Sequence, residues 1–251
     1  MNLRRLYVTD LISEYQTMLY MLDNGTVGQG KILKSVKDVC EIFNNLVDYI
    51  AHEYPEYILQ EWDAKNAKEF RDNLEKMDHK IMGTSVNGGF FGVIRDVANT
   101  TKHMKIKRDK AQVKFTADIR ESMAKIRFED EHGYYYSHIS MVVASHQNGS
   151  EIPLEIYLYL CFLSFSSILE DVNLITKKPT ILERRDFYKT REQVNSDMKK
   201  TIEVTVGEPV NLKLSSFIYQ EHIFSNLRGA KEEETFDRTF DVDFISTKGL
   251  F

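Results

Sequence analysis

The chain has 251 residues, a formal net charge of -5, and 42% hydrophobic against 28% charged residues. That length buries a full core in one large domain or a domain with an appendage, and the balance of apolar and charged residues excludes wholesale disorder. The acidic total excludes a protein that coats DNA by bulk charge, and two cysteines exclude both a disulfide framework and a zinc site of paired thiolates.

No apolar secretory segment follows Met1, and the first periodic stretch is helical: Leu11, Tyr15, Met18 and Leu22 line one face of a helix expected over about residues 3 to 22. Asp23-Asn24-Gly25 ends it, and Ile32, Val36, Val39, Phe43, Leu46 and Ile50 form a second stripe that stops before Pro55, giving an antiparallel hairpin. Cys40 falls in this second stripe and Cys161 in a later apolar helix, so both are expected as buried thiols of a reducing, cytoplasmic compartment. A third helical run starts near Tyr57 or Trp62 and carries Phe70, Leu74, Met77 and Ile81 on one face, until Gly83 to Gly89 interrupts it. Those glycines lack the Lys-Ser/Thr of a phosphate loop and are read as a helix-breaking loop. The next helix begins at about Phe90 and runs to roughly Met104, with Phe91, Ile94, Val97 and Ala98 apolar.

After Lys110 the period changes to two. Val113, Phe115, Ala117 and Ile119 alternate with polar residues, then Ala124, Ile126 and Phe128 do the same, and Tyr134 to Ala144 follows a turn at Glu131-His132-Gly133. This predicts an antiparallel β-meander over about residues 112 to 146, inserted before a strongly apolar helix from about Pro153 to Ile175 that is too short to span a membrane. From about residue 181 the chain changes character: a charged helix over Leu182 to Lys200, strands at Ile202–Val206 and Leu212–Leu214, and another through Phe236, Phe240, Val242 and Phe244. The expected architecture is therefore α+β, a helical bundle over residues 1–180 with the meander inserted and a strand-rich C-terminal extension over 181–251.

The helix near residue 95 carries the residues with chemistry. At about 100° per residue, Arg95, Asp96, Asn99, Lys102 and His103 share an arc of about 120°, opposite Val93, Val97, Phe90, Ile94 and Phe91. Such an arc is either the solvated side of an amphipathic helix or a site. Lys102, Lys105, Lys107, Arg108, Lys110 and Lys114 follow, opposed by Asp109; they suit phosphate contacts to RNA or, equally, a solvated helix end whose cations favour the C-terminal dipole.

Paired helices bearing Arg95-Asp96 and, further along, His103 are similar to the HEPN superfamily of prokaryotic toxins and defence proteins. There an Arg, favouring Asn, Asp or His after it, precedes a His on the same helix. Here seven residues stand between Arg95 and His103, one more than the family's widest spacing. The resemblance covers about residues 1 to 176. It implies metal-independent RNA cleavage without a cofactor, with His103 as general base or acid, Arg95 on the scissile phosphate, Asn99 or Asp96 orienting them, and a homodimer that joins two copies of the motif. Arg71-Asp72 and His79 repeat the same spacing beside acidic neighbours, and Arg127 and His132 are close in sequence but lie across a strand and turn.

Other constellations are weaker. His52-Glu53 stands alone, so no metal site is expected; Ser164 to Ser167 lack a nucleophile elbow; and Tyr134-Tyr135-Tyr136 alternate faces on a strand. Lys231 to Glu234 with Asp237, Asp241 and Asp243 form a solvated edge or a dock for a basic partner. The alternative to a nuclease is a non-catalytic subunit that dimerises through the bundle and binds a protein through its C-terminal strands.

Overall fold

Leu3, Leu6, Leu11, Tyr15, Met18 and Leu22 are all buried, as a helical stripe requires. The computed structural model describes residues 3–24, 30–81, 84–103, 105–106, 111–145, 151–176, 189–196, 214–220 and 223–226. The N-terminal helix consists of α1 (Leu3–Arg5), a π-helical stretch (Leu6–Leu11) and α2 (Ile12–Asn24). Within the wider π turns Tyr7 is buried, its ring stacked on Phe162 and its hydroxyl hydrogen-bonded to Ser166 Oγ at 2.7 Å. Helix α3 (Lys31–Glu53) follows with the expected apolar stripe buried, and Pro55 opens α4 (Pro55–Trp62), where its missing N–H costs nothing.

The single helical run expected up to Ile81 is instead two helices and a strand. Asp63 adopts φ +46° and ends α4; Asn66 then caps α5 (Ala67–Lys76), its Oδ1 accepting from Glu69 N at 3.0 Å while Glu69 reaches back to Lys65 N at 2.8 Å. Met77 is extended, and Asp78–Ile81 (β1) pairs antiparallel with Thr84–Asn87 (β2), so part of the expected glycine loop is a strand. Helix α6 (Gly89–Lys102) packs on α3, α5 and α7 (Leu154–Asp171), the apolar helix at the centre of the core.

The fold is α+β, with the antiparallel insert in place but its strands drawn differently. Residues 113–118 form no strand beyond an isolated bridge between Phe115 and Lys105, and Thr116–Asp118 is a 3-10 turn. Ile119–Asp130 is one unbroken strand (β3), paired with Gly133–Ser145 (β4), and the meander closes with Glu151–Pro153 (β5). Two further strands, β6 (Leu214–Gln220) and β7 (Ile223–Asn226), complete a sheet of order β5-β4-β3-β6-β7, with β6 parallel to β3. Leu214 thus pairs with Met123. The strands expected at Ile202–Val206 and Phe236–Phe244, Leu212, and the ends of the charged helix lie outside the described residues; of that helix, residues 191–196 are helical.

At the base of the hairpin, Ile119, Val142 and Ala144 join the bundle core, Glu121 accepts from the Leu33 amide at the start of α3, and Arg120 pairs with Glu151. At its tip, Arg191 donates to both oxygens of Asp130, at 2.7 and 2.8 Å, and to the Gly133 carbonyl, with its guanidinium over the Tyr135 ring. Arg191 holds the Asp130 carboxyl down at about 2 by that hydrogen bond, assisted by the His132 amide. Both cysteines are buried free thiols, and no helix among the described residues is long and apolar enough to cross a membrane.

Candidate functional site

The polar arc of α6 divides into separate parts. Arg95 is partly exposed and donates through Nη1 to Asp72 Oδ1 at 2.9 Å and to Glu75 Oε2 at 3.5 Å, both on α5. Desolvation would raise the Asp72 carboxyl, but the hydrogen bond from Arg95, followed by the charges of Arg95, Lys76 and Lys68, holds it below the usual carboxylate range. Asp96 is fully buried; its Oδ2 accepts from the backbone amides of Gln112 at 2.7 Å and Val113 at 3.3 Å. A carboxylate expected beside a substrate instead anchors the chain that returns after α6.

The helix stops at Lys102. His103 is its C-terminal cap, exposed and extended at φ -137° and ψ 129°, with its amide donating to the Asn99 carbonyl. The expected continuation to Met104 does not form, because residues 105–106 turn into a bridge: Ile106 N donates to Lys114 O at 2.9 Å, and Lys105 pairs with Phe115. His103 is therefore not on the helical arc that includes Arg95 and Asn99, which is half-buried. Of the basic run, Lys105 is exposed with Nζ 5.5 Å from the Phe115 ring centroid, and Lys114 lies on the returning chain, its carbonyl accepting from the Ile106 amide. Lys107, Arg108, Lys110 and the Lys102 side chain lie outside the described residues.

What packing brings to Arg95 is Arg71. Arg71 on α5 donates to Asn44 of α3 and forms an ion pair with Asp48. The two arginines and Asn44 rim a shallow cleft between α3, α5 and α6, floored by Phe43, Val47, Leu74, Phe91 and Ile94. No sequence period relates Arg71 to Arg95; the only local sign is that Arg71 lies between Phe70 and Leu74, the two buried apolar residues of α5.

His79, the histidine at the same spacing from Arg71, has a different task. On β1 it is buried among Trp62, Phe90 and Phe91, with ring centroids 5.0 to 5.3 Å away. Nε2 lies 2.7 Å from the Leu74 carbonyl and Nδ1 2.7 Å from Ser164 Oγ. A carbonyl only accepts, so Nε2 carries the proton and the Ser164 hydroxyl donates to Nδ1. Burial pushes the imidazole below its ordinary value, against the Leu74 carbonyl and the Asp78 charge. Gly88 lies against this assembly: a Cβ there would stand 2.0 Å from the Leu74 oxygen and 2.9 Å from His79 Nε2.

Among the described residues, no three His, Cys, Asp or Glu are grouped to hold a metal ion. The fold and site thus define an α+β helical-bundle protein with a paired-arginine cleft. No protein family, curated protein or solved structure matches this chain.

Proposed function

We propose that this chain is a non-catalytic interaction module of the helical-bundle type, a partner-binding or regulatory subunit rather than a ribonuclease. The observation that carries this reading is the commitment of the motif residues to the fold itself. Arg95 is held by two carboxylates, Asp96 is buried on two backbone amides, and His103 caps the helix rather than continuing its polar arc. A nuclease site of the HEPN kind would need Arg95 to exchange Asp72 and Glu75 for phosphate and would need His103 to approach it. Two buried thiols suit the reducing cytoplasm, and a second copy of the chain and a protein partner are the expected ligands.

The test compares wild type with Arg95→Ala and His103→Ala, on purified protein with an end-labelled RNA and on growth and RNA integrity in expressing cells. The expected result is intact RNA and equal growth in all three. RNA loss with wild type that disappears in His103→Ala, an exposed position whose change spares the fold, would reinstate the nuclease reading. Size-exclusion chromatography with light scattering reports the homodimer in the same samples.

A further inference from the structure

The hairpin of β1 and β2 is held to the rest of the fold by few contacts. Of its described residues, His79 and Ile81 are buried and Val86 is half-buried, while Asp78, Lys80, Thr84, Ser85 and Asn87 are exposed. Its ends meet at Met77 and Gly88, where the Gly88 amide donates to the Met77 carbonyl at 3.0 Å. Its side-chain hydrogen bonds are mostly local: Ser85 and Asn87 donate to Asp78, and Asn87 Oδ1 accepts from the Gly89 amide where α6 begins. Among the described residues, the His79 ring alone carries side-chain hydrogen bonds from the hairpin across to α5 and α7, to the Leu74 carbonyl and to Ser164 Oγ, each at 2.7 Å.

We propose that this hairpin is a strap latched by a neutral His79 and released when the imidazole takes up a proton, uncovering the rings of Trp62, Phe90 and Phe91 that His79 packs against. Nε2 already donates to the Leu74 carbonyl, so a second proton goes to Nδ1 and the Ser164 hydroxyl that donates to it must turn round. The cation so formed is surrounded by uncharged groups. Trp62 faces it from α4, the Leu74 carbonyl from α5, Phe90 and Phe91 from α6 and Ser164 from α7, with Val86 opposite it on β2. Among the described residues, the charge that acts on the ring is that of Asp78, exposed on the same strand. Burial outweighs both the Leu74 carbonyl and Asp78, so a released imidazole holds its proton more tightly than a latched one. Lifting the strap hydrates the charge at the loss of two buried side chains, whereas unfolding the bundle exposes the whole core, so the local route opens first.

Amide hydrogen exchange of the full chain, divided by the intrinsic rate at each pH, measures the opening of residues 78–87 directly. With the released imidazole titrating at about 6.5, opening should rise several-fold, to a limit of about tenfold, from pH 7.5 to 5.5, while α3 and α7 stay protected. Trp62, the sole tryptophan of the chain, should become more accessible to acrylamide quenching over the same range. His79→Gln cannot take up the proton, so its hairpin should open more than that of wild type at pH 7.5 and no further at pH 5.5. Ser164→Ala removes the hydroxyl and keeps the imidazole. Its hairpin should open more readily at both pH values and keep the rise between them, which carries the test where His79→Gln fails to fold. Three results would overturn the proposal: opening in wild type that changes by less than about twofold, a rise that survives in His79→Gln, or a loss of protection shared equally by α3 and α7.

Discussion

His79 offers the most direct test of how the core is assembled, because its imidazole must stay neutral to fit. In the folded chain Nε2 donates to Leu74 and Nδ1 accepts from Ser164, inside a ring of Trp62, Phe90 and Phe91. Burial lowers its pKa, so in the window below the unfolded value of about 6.5 the unfolded chain binds a proton that the folded chain excludes. The contribution is complete above that value and is lost as pH falls through it, with a slope of at most about 1.4 kcal/mol per pH unit. Between pH 7.5 and 5.5 this amounts to up to about 1.4 kcal/mol. Urea unfolding of wild type and His79→Gln at pH 7.5, 6.5 and 5.5 measures it. The variant is destabilised at pH 7.5 by about 1–3 kcal/mol through lost ring packing and an altered hydrogen bond, and its stability should fall less on acidification than that of wild type. All groups other than position 79 are common to the two proteins and cancel in the difference, and Asp130, held at about 2, titrates below the window. Parallel pH curves for the two proteins would refute a buried neutral histidine.

Three other outcomes follow from the same contacts. Asp96→Ala leaves the Gln112 and Val113 amides without their acceptor and should cost about 2–4 kcal/mol in urea unfolding, while Asp96→Asn, which keeps an acceptor oxygen, should cost roughly half as much; an Asp96 that served only a substrate would show neither loss. Gly88→Ala drives a Cβ into the Leu74 carbonyl and should cost on the order of 3 kcal/mol. Gly92→Ala meets the flexible Glu75 side chain first, with Oε1 2.6 Å from the new Cβ, and should cost clearly less than Gly88→Ala, within about 1 kcal/mol of wild type, since helix propensity offsets the displacement; equal losses at the two glycines would contradict the packing described. Arg191→Lys loses the forked contact, so the Asp130 carboxyl, followed by NMR titration, should rise from about 2 toward its ordinary 3.8, and an unmoved titration would place Arg191 elsewhere.

The parts of the fold that were legible in the sequence are those decided within a few turns. The stripes of α2, α3 and α6 are buried where their 3.6-residue period puts them, and α7 lies at the centre of the core as its near-continuous apolar sequence requires. The break between α4 and α5 was also written locally, as Asn66 followed three residues later by Glu69, but a continuous apolar face across it outweighed that signal. The long β3 strand was not drawn as one because the apolar alternation changes phase between Ile119, which ends one run, and Ala124, which begins the next. The parallel pairing of β6 with β3 had no local signal at all, since it joins segments about 90 residues apart.

The same division explains the site. A helical wheel places His103 beside Arg95 only while the helix continues, and what ends it at Lys102 is long-range: the Asp96 carboxylate holds the amides of residues 112 and 113 and so draws the returning chain against α6. Asp96 was expected to orient a substrate because it follows Arg95, yet its position facing the buried side, about 100° round the helix, makes it the residue that sends His103 away from the arc. Arg95 keeps its exposure, and its new neighbour is Arg71, whose arrival depends on how α5 packs against α3 and α6. A short motif therefore specifies chemistry only if the fold leaves its members unoccupied. Here two of the three have structural partners, and packing sets Arg95 beside Arg71, a neighbour the motif does not contain.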